Sequence, residues 1–300
     1  GDTMSRTVLG KCRIFVLIAI LLFVMFPNEG DSASHVVFSM GDRADDDFGY
    51  GSVVYPLHEV FEPGLFDLRR VHIWYDDQNT YFDISFALIN NPWNAPEGFF
   101  HQLIDVYIDA EPGGHTVPVA PGAGVRFSPE AGWEYRLRIQ PWGGSRWLDA
   151  RSDPAKAYPV IASVLPDDKT IRAQVPFSVA DPPSRVWQYY VLVGGFDTFG
   201  PDQYRIIQET ATQWSFGGAV TPDGPNVIDL LDSGFGKKAQ KNQLEAHHLA
   251  EGEYPVVLPV NHGLSLPFTW GHLLSSLAVL LLLGSIFYIV FRQQPPGHAG

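Results

Sequence analysis

The residues with the clearest chemical potential form an acidic, glycine-broken segment, Asp45-Asp46-Asp47-Phe48-Gly49-Tyr50-Gly51. Three adjacent carboxylates repel one another, and Gly49 and Gly51 permit the left-handed turns that wrap a backbone around a cation, so the segment suits a hard metal ion. The EF-hand spacing D-x-[DN]-x-[DN]-G is not present, and a solvated acidic turn is the competing reading. More carboxylates lie in the run Gln102 to Asp109, where strand alternation puts Asp105 and Asp109 on one face with Leu103 and Tyr107, and Ile104, Val106 and Ile108 on the other. Asp197 and Asp202 flank a Gly200-Pro201 turn and are weaker candidates. Nothing assembles into a catalytic device. The chain holds no G-x-S-x-G and no H-E-x-x-H, the adjacent His247 and His248 cannot share one helix face, and no spacing singles out a glycosidase pair among 33 acidic residues. The expectation is a protein that is not an enzyme.

The elements that must position these residues are strands. Between Val36 and Leu231, short runs of alternating apolar residues are separated by Pro, Gly, Asp and Asn, with no sustained helical period, which predicts an all-β antiparallel sandwich. Val71–Tyr75 and Thr80–Ile89 flank Asp76-Asp77-Gln78-Asn79 as a hairpin, with Phe82, Ile84, Phe86 and Leu88 on one face and Asp83 and Ser85 on the other. A second hairpin joins Val160–Val164 to Thr170–Val175 through Pro166-Asp167-Asp168-Lys169. Trp133 to Gln140 alternates throughout, so one face is buried and the Arg136/Arg138 face meets solvent or a ligand. Trp187 to Val193 is apolar on both faces, as a covered central strand requires. Trp133, Trp187, Trp74 and Trp214 belong to the core by their strand context.

Charge narrows the partners. A formal net charge of −13 argues against nucleic acid, which needs a concentrated excess of Lys and Arg. The only cysteine, Cys12, precedes the apolar run of the N-terminal segment, so the folded part has no disulfide and a bound ion would be an alternative staple.

The ends of the chain are distinct from its middle. Arg6, Lys11 and Arg13 precede the apolar run Ile14 to Phe26, and small polar residues up to Ala33 follow, which predicts an export signal over 1–33. The sandwich then occupies 34–232 and a juxtamembrane stalk 233–270. Leu273 to Phe291 is free of charge and bordered by Trp270 and Arg292, so a single transmembrane helix is expected over 271–291, with a cytoplasmic tail at 292–300. The predicted location is the cell membrane, single-pass, with the sandwich outside.

Several blocks recur in an order that resembles a known family. They are Asp46-Asp47-Phe48-Gly49, Tyr55-Pro56, Phe61-Glu62-Pro63-Gly64, Phe66-Asp67-Leu68, Asn91-Pro92-Trp93, Gly98-Phe99, Gln102 to Asp109, Val191 to Asp197, Gly200-Pro201-Asp202 and Asn226 to Leu231. Together they resemble the C-terminal binding module of glucodextranase, a DOMON-like relative of the family 9 carbohydrate-binding modules, over roughly Val36 to Leu231. The resemblance implies a polysaccharide or cell-surface glycan as partner. It also supports a structural calcium ion where the Asp46-Asp47 loop meets the strand at Phe66-Asp67, with Asp105 as a further ligand or its supporting partner. Sugar rings pack on flat aromatics, so Trp142 and Trp147, with Arg146 between them, and Trp93 become the carbohydrate-binding candidates. Two alternatives carry other partners: a haem- or redox-linked DOMON-type domain using Met40 with His72 or His101, and a structural surface-layer protein.

Overall fold

The computed structural model describes residues 34–152, 156–221, 224–232, 234, 236, 239–245 and 253–261. The expected signal peptide (1–33), transmembrane helix (271–291) and tail (292–300) lie outside the described residues, among which no helix is long and apolar enough to cross a membrane.

Local sequence decides the first sheet. Strands β2 (Leu68–Tyr75) and β3 (Asn79–Phe86) pair antiparallel through a turn in which the Asp76 carboxylate accepts the amides of Gln78 and Asn79 at 2.7 and 2.8 Å. An aspartate that bonds its own backbone two residues on is a turn former, so the hairpin follows from the sequence. Phe82, Ile84 and Phe86 are buried as the alternation requires. With β1 (His35–Gly41), β9 (Ile161–Val164) and β10 (Thr170–Pro176) the order is β1-β2-β3-β10-β9, all antiparallel.

The second sheet runs β12 (Asp229–Leu230), β11 (Gln188–Gly195), β4 (Gln102–Asp109), β6 (Tyr135–Ile139), β7 (Arg146–Asp149) and β8 (Ala157–Pro159), with β14 (Val260–Asn261) also pairing β11. The sheets face each other across one core, where Phe38 of β1 meets Tyr189 of β11 at 4.8 Å and Phe82 of β3 meets Trp147 of β7 at 6.2 Å between ring centres. β11 and β4 are covered on both sides, and loops seal the outer face of the second sheet.

Two expectations need correction. The Arg136/Arg138 face of β6 is not a solvent face: both arginines are buried, because loop residues pack over them. The boundary at 232 is also too early, since part of the expected stalk is built into the sandwich. A short helix, Gln240–Glu245, buries Leu244; β13 (Val256–Val257) pairs in parallel with β5 (Arg126–Phe127); and β14 extends the second sheet beside β11. Isolated two-residue strands carry too little apolar periodicity to be recognised from sequence.

Candidate functional site

The acidic loop does converge with other carboxylates, but not with the expected set. One oxygen from each of Asp42, Asp46 and Asp229 lies within 4.8 Å of the others. Asp42 follows the last residue of β1, Asp46 sits in the loop, and Asp229 opens β12. Gly49 holds the loop against β12: its amide donates to the Ile228 carbonyl at 2.7 Å, its φ is +56°, and a Cβ there would fall 2.7 Å from Val53 and 2.9 Å from the Val227 carbonyl. The Gln240 side chain ties the same parts together, donating to the Asp46 carbonyl at 2.5 Å and accepting the Leu230 amide at 2.7 Å.

Among the described residues these carboxylates are poorly compensated. Burial, joined by repulsion from Asp46 and Asp232, pushes Asp42 up to about 8, and burial, then Asp232 and Asp67, pushes Asp46 up to about 6. Asp229 is raised for the same reason, burial first and then Asp42. Asp42 Oδ2 and Asp46 Oδ1 are buried without a hydrogen-bond partner among the described residues. Carboxylate oxygens at this spacing can all contact one hard cation at about 2.3–2.6 Å, which would supply the missing positive charge.

Asp47 and Asp67, both predicted ligands, lie nearby but outside this triad. The Asp47 carboxylate accepts the Tyr55 hydroxyl, and Asp67 pairs with Arg69 at 2.6 Å and accepts the Asp45 amide at 3.2 Å. Asp105 is remote in role. It lies fully buried on the outer face of β4, where Arg136 and Arg138 each grip it through two hydrogen bonds of 2.8–3.0 Å and Tyr204 donates a further one at 2.8 Å. Burial opposes its ionisation, but the two guanidinium groups prevail and hold it well below the usual carboxylate range. A carboxylate so saturated has no lone pair left for a metal, so Asp105 is a charge-network residue. Asp202 closes the network over both arginines at 2.8–3.0 Å.

Aromatic side chains form a second feature. Trp93, Trp142 and Trp214 are 40%, 51% and 45% exposed, unusual for so large a side chain, and they are linked. Ring centres run from Trp142 to Phe100 (6.5 Å), Phe100 to Trp93 (4.4 Å), Trp93 to Trp214 (6.2 Å) and Trp214 to His58 (4.2 Å, stacked). Four loops supply this strip. Trp142 heads the β6–β7 turn with φ +60°, a strained setting for a bulky residue. Glu97 fixes that turn by accepting the amides of Trp142 at 3.0 Å and Gly143 at 2.6 Å. Trp214 is presented by a turn in which Thr212 Oγ1 accepts the Ser215 amide at 3.1 Å.

Trp147, a predicted sugar contact, is not on this strip. It is 2% exposed and faces the core opposite Leu137, between Phe82 and Tyr135. Arg146 is exposed on the opposite face of β7. Trp214 moves the other way, from expected core to surface. Phe100, His58, Asp42 and Asp229 carried no functional expectation, although Asp229, a lone carboxylate in the apolar run Val227 to Leu231, was a legible signal. The haem alternative loses one ligand pair: Met40 opposes Val71 and packs on the core, whereas His72 opposes Ser39 and points to the other face of the same sheet.

Residues 37–259 match the family model for the C-terminal binding-module, SLH-like, of glucodextranase. No curated protein matches the chain. The match takes in both sheets, the acidic triad, the aromatic strip and most of the docked C-terminal segment, and the chain belongs to the family of C-terminal, SLH-like binding modules of glucodextranase.

Proposed function

We propose that this protein is a non-catalytic carbohydrate-binding module that holds polysaccharide on its aromatic strip. The observation that carries the reading is the continuous line of rings from Trp142 to His58, three of them tryptophans exposed by 40% or more. The apolar face of a pyranose packs on such rings, and a line of them suits a chain of sugars better than a single one. Glu97 and the strained turn at Trp142 add rigidity, which lowers the entropic cost of binding. The family name points to α-glucans as the first ligands to test.

The reading is tested by affinity electrophoresis of the full-length chain in gels containing dextran or related α-glucans. Trp93→Ala, Trp142→Ala and Trp214→Ala should each weaken retention roughly tenfold, the effect typical of aromatic anchors, without lowering the melting temperature. Normal retention in the triple variant would remove the strip from the site.

A calcium ion held by Asp42, Asp46 and Asp229 completes the proposal, replacing the ligand set expected from sequence. It is supported by the convergence of the three carboxylates and by the buried oxygens of Asp42 and Asp46 that have no partner among the described residues. The ion's role would be structural, tying β1, the acidic loop and β12 in a domain without disulfides. Presentation outside the cell, on a single membrane helix at 271–291 after export directed by 1–33, rests on the sequence pattern. Protease added to intact cells should remove the sandwich; full protection of the domain would exclude this topology.

A further inference from the structure

Beyond Asp232 the chain returns to the sandwich as a strap, and one side chain anchors its start. Gln240 is 4% exposed; its Nε2 donates to the carbonyls of Asp46 at 2.5 Å and Gly49 at 3.2 Å, and its Oε1 accepts the Leu230 amide at 2.7 Å. Its backbone amide donates to the Asp232 carboxylate, and the Asp232 amide donates in turn to Asp42 Oδ1 at 3.2 Å. Gln240 is thus tied to the Asp46 loop, to the strand that Asp229 opens and, through Asp232, to Asp42.

The rest of the strap is lightly held. Its buried apolar side chains among the described residues are Leu244, Pro255, Val257 and Val260. Gln243 Oε1 accepts the Leu258 amide at 2.6 Å, which ties the strap to itself, and β13 and β14 each add only two residues of pairing, to β5 and β11. A segment with few buried contacts and short ladders opens at a lower free energy than the core. Its anchor also sits where charge crowds, since Asp232 adds a fourth carboxylate that repels both Asp42 and Asp46. Without a cation that repulsion drives apart Asp46 and Asp232, two of the residues that hold Gln240.

We propose that the cation held by Asp42, Asp46 and Asp229 is the latch of this strap: bound, it draws the loop and β12 together so that Gln240 stays seated, and lost, it lets 240–261 detach while the two sheets remain folded. The inference rests on the calcium reading and gives that ion a conformational role. Release would free up to roughly 70 Å of extended chain, at about 3.3 Å per residue, between the sandwich and the expected membrane helix at 271–291. The ion would then set the reach of the module.

Hydrogen exchange of the full-length chain, read by mass spectrometry on peptides from 240–261 and from the β2–β3 hairpin, is the test. If opening of the strap releases the ion, calcium at 100 times its dissociation constant should slow exchange of the strap about a hundredfold relative to chelator, with the hairpin still protected in chelator over the same interval. Gln240→Ala should leave strap exchange fast in both conditions, while calcium still raises its melting temperature. Equal strap exchange in calcium and chelator, in a wild type that calcium stabilises against heat, would overturn the latch and keep the ion. Strap and hairpin losing protection together would also overturn it, in favour of a purely global effect. A wild type indifferent to calcium in both melting and exchange would remove the ion and the latch with it. Strap exchange in Gln240→Ala that still slows a hundredfold with calcium would overturn Gln240 as the link.

Discussion

Asp42→Asn offers the sharpest test of the acidic triad, because its effect should change sign with calcium. The Asp42, Asp46 and Asp229 oxygens lie within 4.8 Å of one another, so without a cation each ionised pair at that distance costs on the order of 3 kcal/mol at an effective dielectric of about 20. Removing one charge relieves part of that cost, and in chelator at pH 8 the variant should melt higher than wild type. With calcium the order reverses. An ion at about 100 times its dissociation constant stabilises the native state by about 2.7 kcal/mol, which for a domain of this size raises Tm by roughly 5–10 °C. Asn at position 42 removes a charged ligand and should abolish most of that rise. The assay is thermal melting of the full-length chain, wild type and variant, each with excess calcium and with chelator. Identical wild-type melting in both conditions would refute a bound ion, and a calcium response retained in full by Asp42→Asn would place the ion elsewhere.

Three other outcomes are expected. Trp147→Ala should cost about 3–5 kcal/mol of stability, read by urea unfolding, because it empties the core between Phe82 and Tyr135. Asp105→Asn should cost a comparable 3–5 kcal/mol, since it leaves Arg136 and Arg138 buried with one carboxylate instead of two; a change under about 1 kcal/mol would mean that Asp202 alone suffices. His101, enclosed by Phe61, Phe100 and Trp93, is lowered by burial from 6.5 to about 4. The folded state therefore binds fewer protons than the unfolded one across that window, and this contribution is complete above pH 6.5 and lost as pH falls toward 4. Between pH 7 and 5 the loss should be about 2 kcal/mol, measured as the difference in unfolding free energy between wild type and His101→Phe.

Local sequence determined most of the sandwich. The apolar alternation of Phe82, Ile84 and Phe86, the Asp76 turn and the two faces of β4 depend on neighbours only a few residues away, and these expectations match the structure. The order of the sequence blocks likewise carried the family assignment, which the match over residues 37–259 supports. What composition could not show is which loops meet. Asp42 and Asp229 stand far apart in the chain, and only the tertiary fold, in which Asp42 accepts the Asp232 amide at 3.2 Å, brings their oxygens together with Asp46. Asp105 has the residue type of a calcium ligand, yet the pairing of β4 with β6 sets Arg138 directly opposite it and spends its lone pairs on guanidinium. Trp142 and Trp147 look equivalent in sequence, but the β6–β7 register places Trp147 opposite Leu137 in the core and leaves Trp142 in the turn. In a strand pair a register shift of one residue exchanges the two faces, so whether a tryptophan meets solvent or core is decided by pairing, a tertiary property.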